Sequence, residues 1–420
     1  MLRRLLNFFS SLWLTVVLLA LALVLVFIGT LAQVKLGLYV AQEEYFRSFF
    51  VWWQPAGAGF KLPVFPAGWL LGALLLINLI VAHVQRFRVS WKKSGILLIH
   101  AGLILLLLGQ FFTEVYQVES VMRSPEGGSK NFSEDARKNE LAIVDVTDPN
   151  SNNVVAIPQS LVRAGEEIRH PELPFAIKVK SYFENSTPAG KLDEMPGKIS
   201  STDGIGRRLQ FAPLPLTGKM DDENKPTALI EVVSEKETLG EWIVSVWLNK
   251  YPWFESLNDQ MGRLLGGELD QPQSFTHAGR TYEIALRPIR YYKDFTITAL
   301  ETRHDKYQGT EIPKNFSTRV QITNPVLGEQ RETLIYMNNP LRYGGETYYQ
   351  FQMNSEPGMK STAFQVVKNP AWITPYLSCT LMGLGMVVQF MMHLVAFGRR
   401  KPKPIQPEAT AAAVPAGGVR

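Results

Sequence analysis

Three of the six histidines in this chain, His83, His100 and His393, lie inside apolar runs. An ionisable side chain there is costly unless it has a partner or a task. Residues 69–117 read WLLGALLLINLIVAHVQRFRVSWKKSGILLIHAGLILLLLGQFFTEVYQ, two apolar runs around a basic hinge, and each run carries one histidine close to that hinge. At ~1.5 Å of rise per helical residue, His83 lies roughly 5 Å from Arg86, His100 roughly 10 Å from Lys93 and His393 roughly 9 Å from Arg399. All three would fall in one half of a bilayer, with His100 and His393 nearly level. The roles open to such imidazoles are hydrogen bonding to one another, to Asn78 or to backbone, snorkelling to the headgroups, or ligation of a metal. No Cys, Asp or Glu shares their depth to complete a tetrahedral zinc site. Haem needs only one or two axial nitrogens and an apolar slot. Haem b matches this inventory, with His100, His83 and His393 as the candidate residues at its site.

On the last apolar run His393, Gln389, Met386, Met382 and Cys379 share one face by their spacing, a face expected to look inward or toward a partner. Cys379 is the single cysteine, so the chain can form neither an intrachain disulfide nor a CxxC pair and is not itself a dithiol reductase. No GxxxxGK[ST], HExxH or GxSxG motif occurs. The chemistry is left to a bound cofactor or to a partner. His170, His277 and His304 stand among turn residues of the soluble part and read as surface histidines.

The elements that must position these side chains follow from hydropathy. Runs of ~15–20 apolar residues can cross a bilayer, and four are predicted, at about 12–32, 67–84, 95–112 and 371–397. Arg3 and Arg4, the hinge, and the basic residues after Phe397 flank them. The positive-inside rule then puts both termini in the cytoplasm and residues 113–370 outside, in a multi-pass protein of the inner (plasma) membrane. For the first run a cleaved signal peptide ending near Thr30-Leu31-Ala32 is the alternative, though its ~20 apolar residues exceed the usual signal core. The formal net charge of +5 sits largely beside these runs, which argues for a lipid surface and against nucleic acid as a partner.

Residues 33–68 form an outer loop in which Tyr45, Phe46, Phe49, Phe50, Trp52 and Trp53 crowd together. Such a cluster is an aromatic belt along the headgroups, or a platform for a flat apolar ligand such as a porphyrin. Residues 118–370 are ordinary soluble sequence. Short alternating runs at 140–146, 175–182, 228–233, 242–248, 282–286, 295–300, 318–322, 333–337 and 347–353 are rich in β-branched and aromatic residues, which is the strand signature. Stretches 195–206 and 213–225 are turn-rich and predict long loops. The expected fold class is an α+β membrane protein: 1–117 with three transmembrane helices, 118–370 a large all-β extracytoplasmic domain of one or two packed sheets, 371–397 the fourth helix. The Pro/Ala/Gly-rich 398–420 reads as a disordered cytoplasmic tail.

Several local sequences resemble the ResB (CcsB) family of system II cytochrome c biogenesis proteins. They are Gly29-Thr30-Leu31-Ala32-Gln33 in the first run, Ile99-His100-Ala101-Gly102 in the third, and Tyr307-Gln308-Gly309-Thr310 with Pro313 and Phe316. The most specific is Met337-Asn338-Asn339-Pro340-Leu341-Arg342-Tyr343-Gly344-Gly345 followed by Tyr348-Tyr349-Gln350. By residue chemistry this last stretch is a turn and a strand, a fold element more than a binding site. The resemblance covers nearly everything up to Phe397. It implies haem delivery across the membrane and covalent attachment to apocytochrome c, as a non-catalytic or co-catalytic subunit beside a CcsA (ResC) type membrane protein. It also implies His100 as the membrane haem ligand. The partner's Trp-Trp-Asp motif is absent here, since Trp52-Trp53 is followed by Gln54. Two other classes stay open: a stand-alone membrane b-type cytochrome for electron transfer, and a scaffold for apocytochrome with inert histidines.

Overall fold

The computed structural model describes residues 1–399 apart from 56, 58, 87–89, 191–193, 219–222, 236, 250–271, 311 and 355–359. Part of the basic hinge, part of the loop expected at 213–225 and the tail from 400 onward lie outside the described residues.

Four long helices carry the apolar runs: α1 (Leu12–Leu36), α2 (Gly68–Arg86), α3 (Ser94–Tyr116) and α4 (Thr374–Gly398). Each is long and apolar enough to cross a membrane. Helix α1 outruns its sequence boundary because no breaker intervenes before Gly37, whose φ of +80° suits glycine and ends the helix. Helix α4 starts later than expected and takes Pro375 into its first turn, where a missing N–H costs little.

The chain divides into two compact units, one from Met1–Ala20, Gly72–Glu114 and the segment from Ala371, the other from Leu21–Leu71 and Val115–Pro370. In the first, α3 packs antiparallel on α4 along a seam of small residues. A Cβ placed on Gly95 would meet Gln389, one on Gly102 would meet Met382 and Ser378, and one on Gly109 would meet Thr374. Gly385 of α4 returns the contact by lying against Ile99. Glycines at this spacing let two backbones approach closely where hydrocarbon surroundings give no hydrophobic drive for helix pairing.

The second unit is β-rich. One antiparallel sheet has ten strands, eight of them in the spatial order Glu329–Tyr336, Pro313–Asn324, Arg280–Lys306, Ser129–Asp145, Val118–Pro125, Ser361–Lys368, Glu346–Asn354 and Leu341–Tyr343. Its two ends approach where Tyr336 bridges Asn339, so the sheet is nearly closed. Met122, Phe295, Ile297, Val320, Tyr348 and Phe364 fill its inside. A four-stranded sheet, with Thr227–Val233 between Ala176–Phe183 and Thr238–Ser245, shares a second core with the Ser129–Asp145 and Arg280–Lys306 strands; Ile177, Ile230, Leu141 and Leu286 are fully buried there.

The most specific of the stretches that carry the resemblance, 337–350, closes the large sheet. Asn338 takes φ +62° in the turn after Tyr336, and Gly344-Gly345, at φ +59° and +77°, turn the chain from Leu341–Tyr343 into Glu346–Asn354. The Tyr343 hydroxyl donates to Glu329 at 2.7 Å and accepts from Asn324 at 3.0 Å. Beside them Lys293 pairs with Glu346 at 2.5 Å, and the wholly buried Tyr348 donates its hydroxyl to the other Glu346 oxygen at 2.7 Å. Burial and the Glu346 carboxylate both push the Tyr348 phenol up.

Candidate functional site

Two of the three histidines meet. The rings of His83 on α2 and His100 on α3 lie edge to face, with centroids 4.7 Å apart and planes at 74°. Helical spacing explains why. His100 is five residues past Gly95 and two before Gly102, so it projects from the side of α3 roughly 140–200° round from the glycine seam. Helix α3 therefore gives its small face to α4 and its histidine to α2.

Helix α2 is two-faced in the same way. Asn78 precedes His83 by five residues, about 140° round the helix. It points at α1, not at the histidines. It is 2% exposed, accepts a hydrogen bond from the Thr15 hydroxyl at 2.6 Å, and donates to the carbonyls of Phe9 at 2.6 Å and Ser11 at 3.2 Å. Asn78 is thus a clasp between α1 and α2 rather than a partner for an imidazole.

His393 stands apart. It hydrogen-bonds Gln389 one turn earlier at 2.8 Å and is otherwise exposed in this chain. Because Gln389 lies against Gly95 and Gly385 against Ile99, His393 is about nine residues, ~13 Å, along the axis from the level of His100. The expectation that these two are nearly level does not hold. The two basic ends do not overhang equally, because α4 runs well past the start of α3. The shared face expected on α4 also divides: Met382 and Gln389 touch α3, while Cys379 and Met386 are exposed. The seam follows Thr374, Ser378, Met382, Gly385 and Gln389 instead.

His83 and His100 bring two imidazole rings together. Among the described residues no group of three or more His, Cys, Asp and Glu is placed to hold a metal ion. With imidazole nitrogens ~2 Å from a bound metal, two imidazoles on opposite sides of one iron have ring centroids about 6 Å apart. The observed 4.7 Å is shorter. At this spacing the two rings could not ligate one metal ion from opposite sides unless α2 and α3 part by about 1.5 Å.

The remaining histidines lie in the β-rich unit. His304 stacks on the Phe316 ring across the strand pair at 4.4 Å, and His277 meets Phe175 edge-on at 6.1 Å. The backbone N–H of Glu172 approaches His170 Nδ1 at 3.3 Å. These are packing and turn contacts.

One polar feature had no sequence signal. A cleft of about 170 Å³ is lined by Tyr39, Arg137, Asn139, Gln159, Glu184 and Asn224 among others. Arg137 lies over the Tyr39 ring at 3.8 Å, and a relay runs from Asn139 to Gln159 at 2.9 Å and on to the Tyr182 hydroxyl at 2.6 Å. Burial pushes the Tyr182 phenol up to about 12, against the opposing effect of the Gln159 bond. The cleft assembles around an irregularity at 134–139, where Asp135 accepts from the N–H groups of Arg137 and Lys138.

No family model matches the chain, and no curated protein matches it.

Proposed function

We propose that this chain is a membrane-embedded, haem-handling subunit of a cytochrome c assembly system of the ResB (CcsB) kind. In this reading α1–α4 cross the plasma membrane with both termini in the cytoplasm, and the β-rich unit stands outside. The observation that supports it most is the His83–His100 pair, 4.7 Å apart on two helices able to span a bilayer.

His100 holds haem b through its imidazole, and His83, edge-on beside it, positions that ring and can give a second nitrogen. The apolar walls of α2 and α3 exclude water from both. Haem, when bound, supplies the porphyrin that is to be joined to a c-type polypeptide. The β-rich unit offers apocytochrome c a rigid surface, and the chain works beside a CcsA/ResC-type membrane protein. The ~13 Å offset of His393 from His100 weighs against a stand-alone cytochrome b ligated by that pair.

Two measurements test this reading. Reporter fusions at the C-terminus and within the β-rich unit should show inside and outside activity respectively, and reversed signals would end it. The full chain, purified with and without its partner, should carry haem with an absorption spectrum typical of imidazole ligation. A haem-free chain in both preparations would leave only the scaffold role.

A further inference from the structure

The connection from α1 to α2 is built rather than slack. Phe50–Trp53 pairs with Leu62–Pro66 as an antiparallel hairpin. Its base is tied to both helices. The Phe46 ring covers Gly29 of α1, where a Cβ would come within 2.9 Å, and the Phe46 backbone lies against Gly68, the first residue of α2. The N–H of Ala67 donates to the Phe49 carbonyl at 3.0 Å, and that of Trp69 to the Ser48 carbonyl at 3.2 Å.

The hairpin so held buries only Val51 among Phe50–Trp53. Trp52 and Trp53 are 54% and 55% exposed, and Phe49, Phe60, Leu62 and Val64 are exposed beside them. Lys61 is the one charged residue between Ser48 and Gly68. An apolar surface of this kind signals a binding face. The ring geometry tells which kind. Phe50 meets Trp52 at 70° and Phe49 meets Trp69 at 88°, so neither pair offers the parallel faces that would grip a flat porphyrin. Rings standing edge-on to one another suit acyl chains and headgroups, which have no plane to match. Strands of four and five residues reach ~13–17 Å, longer than the headgroup layer on one side of a bilayer is deep.

We propose that the hairpin strands Phe50–Trp53 and Leu62–Pro66 form an interfacial anchor that lies along a phospholipid bilayer, its indole and phenyl rings in the headgroup–acyl boundary. It fixes the depth at which α1 and α2 end. The proposal rests on the membrane reading above.

The test uses the full chain with Cys379→Ser, reconstituted in vesicles of phosphatidylethanolamine and phosphatidylglycerol. Single cysteines are placed at Trp53→Cys and, with every other ring intact, at Phe60→Cys, and each carries a nitroxide label. Val326→Cys, in an exposed turn of the β-rich unit, serves as the water reference, and Leu23→Cys, exposed on α1, as the bilayer reference. Collision rates are compared for dissolved oxygen, which concentrates in lipid, and a nickel chelate, which stays in water. Labels at 53 and 60 should show an oxygen-to-nickel ratio several-fold above that at 326. Ratios equal to that at 326 would place the hairpin in water, and protection from both reagents would place a protein or porphyrin over it; either result overturns the anchor. If Leu23 also tracks Val326, the membrane reading itself has failed and the anchor falls with it.

Discussion

The ring of His83 closes edge-on against the ring of His100 at 4.7 Å, and each helix keeps its opposite side for another neighbour. Helix α2 spends its far face on Asn78 and α1, and α3 its far face on a glycine seam and α4. The pair is therefore set by two flanking contacts, and disturbing either should disturb it.

Asn78→Ala removes the acceptor for Thr15 and the donor for the Phe9 and Ser11 carbonyls. Side-chain hydrogen bonds between membrane helices contribute about 0.6 kcal/mol on average and up to ~1.7. The thermal midpoint of the full chain in detergent should fall, and Thr15→Val should give part of the same loss. An unchanged midpoint for Asn78→Ala would mean that α1 is held to α2 by packing alone.

Gly102→Leu should be far more damaging than its size suggests. A Cβ there would come within 2.6 Å of Met382 and 2.8 Å of the Ser378 carbonyl, so α3 and α4 must separate. Overpacking costs about 1–3 kcal/mol and sometimes more. Gly72→Leu on α2 meets nothing within 4 Å and is the control. Membrane-inserted protein should drop sharply for Gly102→Leu only; equal levels would show that the seam is not close-packed.

In the β-rich unit, Lys293 and Glu346 are 6% and 10% exposed at the side chain. Glu346→Leu strands a buried ammonium and takes the partner from Tyr348, a loss of about 3–5 kcal/mol. The double change Lys293→Met with Glu346→Leu removes both charges and should recover most of that stability in chemical denaturation. A double variant no better than the single one would assign the loss to the Tyr348 bond.

Glu126 supplies a pH dependence. The hydroxyl of Thr302 and then its N–H donate to the carboxylate at 2.6 and 2.8 Å and hold it below the usual range. A carboxylate whose folded pKa is depressed stabilises the fold above its unfolded value, ~4.3, and that contribution is lost as pH falls through the folded value. Glu126→Gln should lower the unfolding free energy at pH 7 by about 1 kcal/mol for a partly solvated bond. The two proteins should converge only once the pH falls below that depressed folded value. A gap independent of pH would exclude the ionised carboxylate as its source.

The helices and most central strands were legible because their signals are local: apolar length for α1–α4, and period-two alternation for strands such as Thr227–Val233. What was not legible depends on neighbours distant in sequence. The runs expected at 282–286 and 295–300 are one strand, Arg280–Lys306. Pro288, which has no N–H, reads as a break, yet it sits opposite Asn139 where the register shifts and the chain passes through a bulge. Val118–Pro125 and Ser361–Lys368 were missed although each pairs the other along its length, since Ser, Arg and Gln interrupt their apolar pattern. At the site, the closeness of His83 and His100 to one hinge was legible, but not the contact of their rings, since the count put them at roughly 5 and 10 Å from its basic residues. The misplacement of His393 had a different origin, because the register of α4 on α3 is fixed by Gly95, Gly102 and Gly385, which carry no charge to count from.

The central claim is that the His83–His100 pair receives haem, and the direct measurement is the haem content and absorption spectrum of the purified full chain, co-expressed with its partner, after His100→Ala. Haem should fall several-fold or change its spectrum, added imidazole should restore part of it by entering the gap, and c-type cytochrome should fall in parallel. His83→Ala should do less. Protein level is recorded alongside, since losing a polar group should not hinder insertion. If His100→Ala accumulates normally, carries normal haem with an unchanged spectrum and matures cytochrome c normally, His100 is a packing residue and the account is wrong.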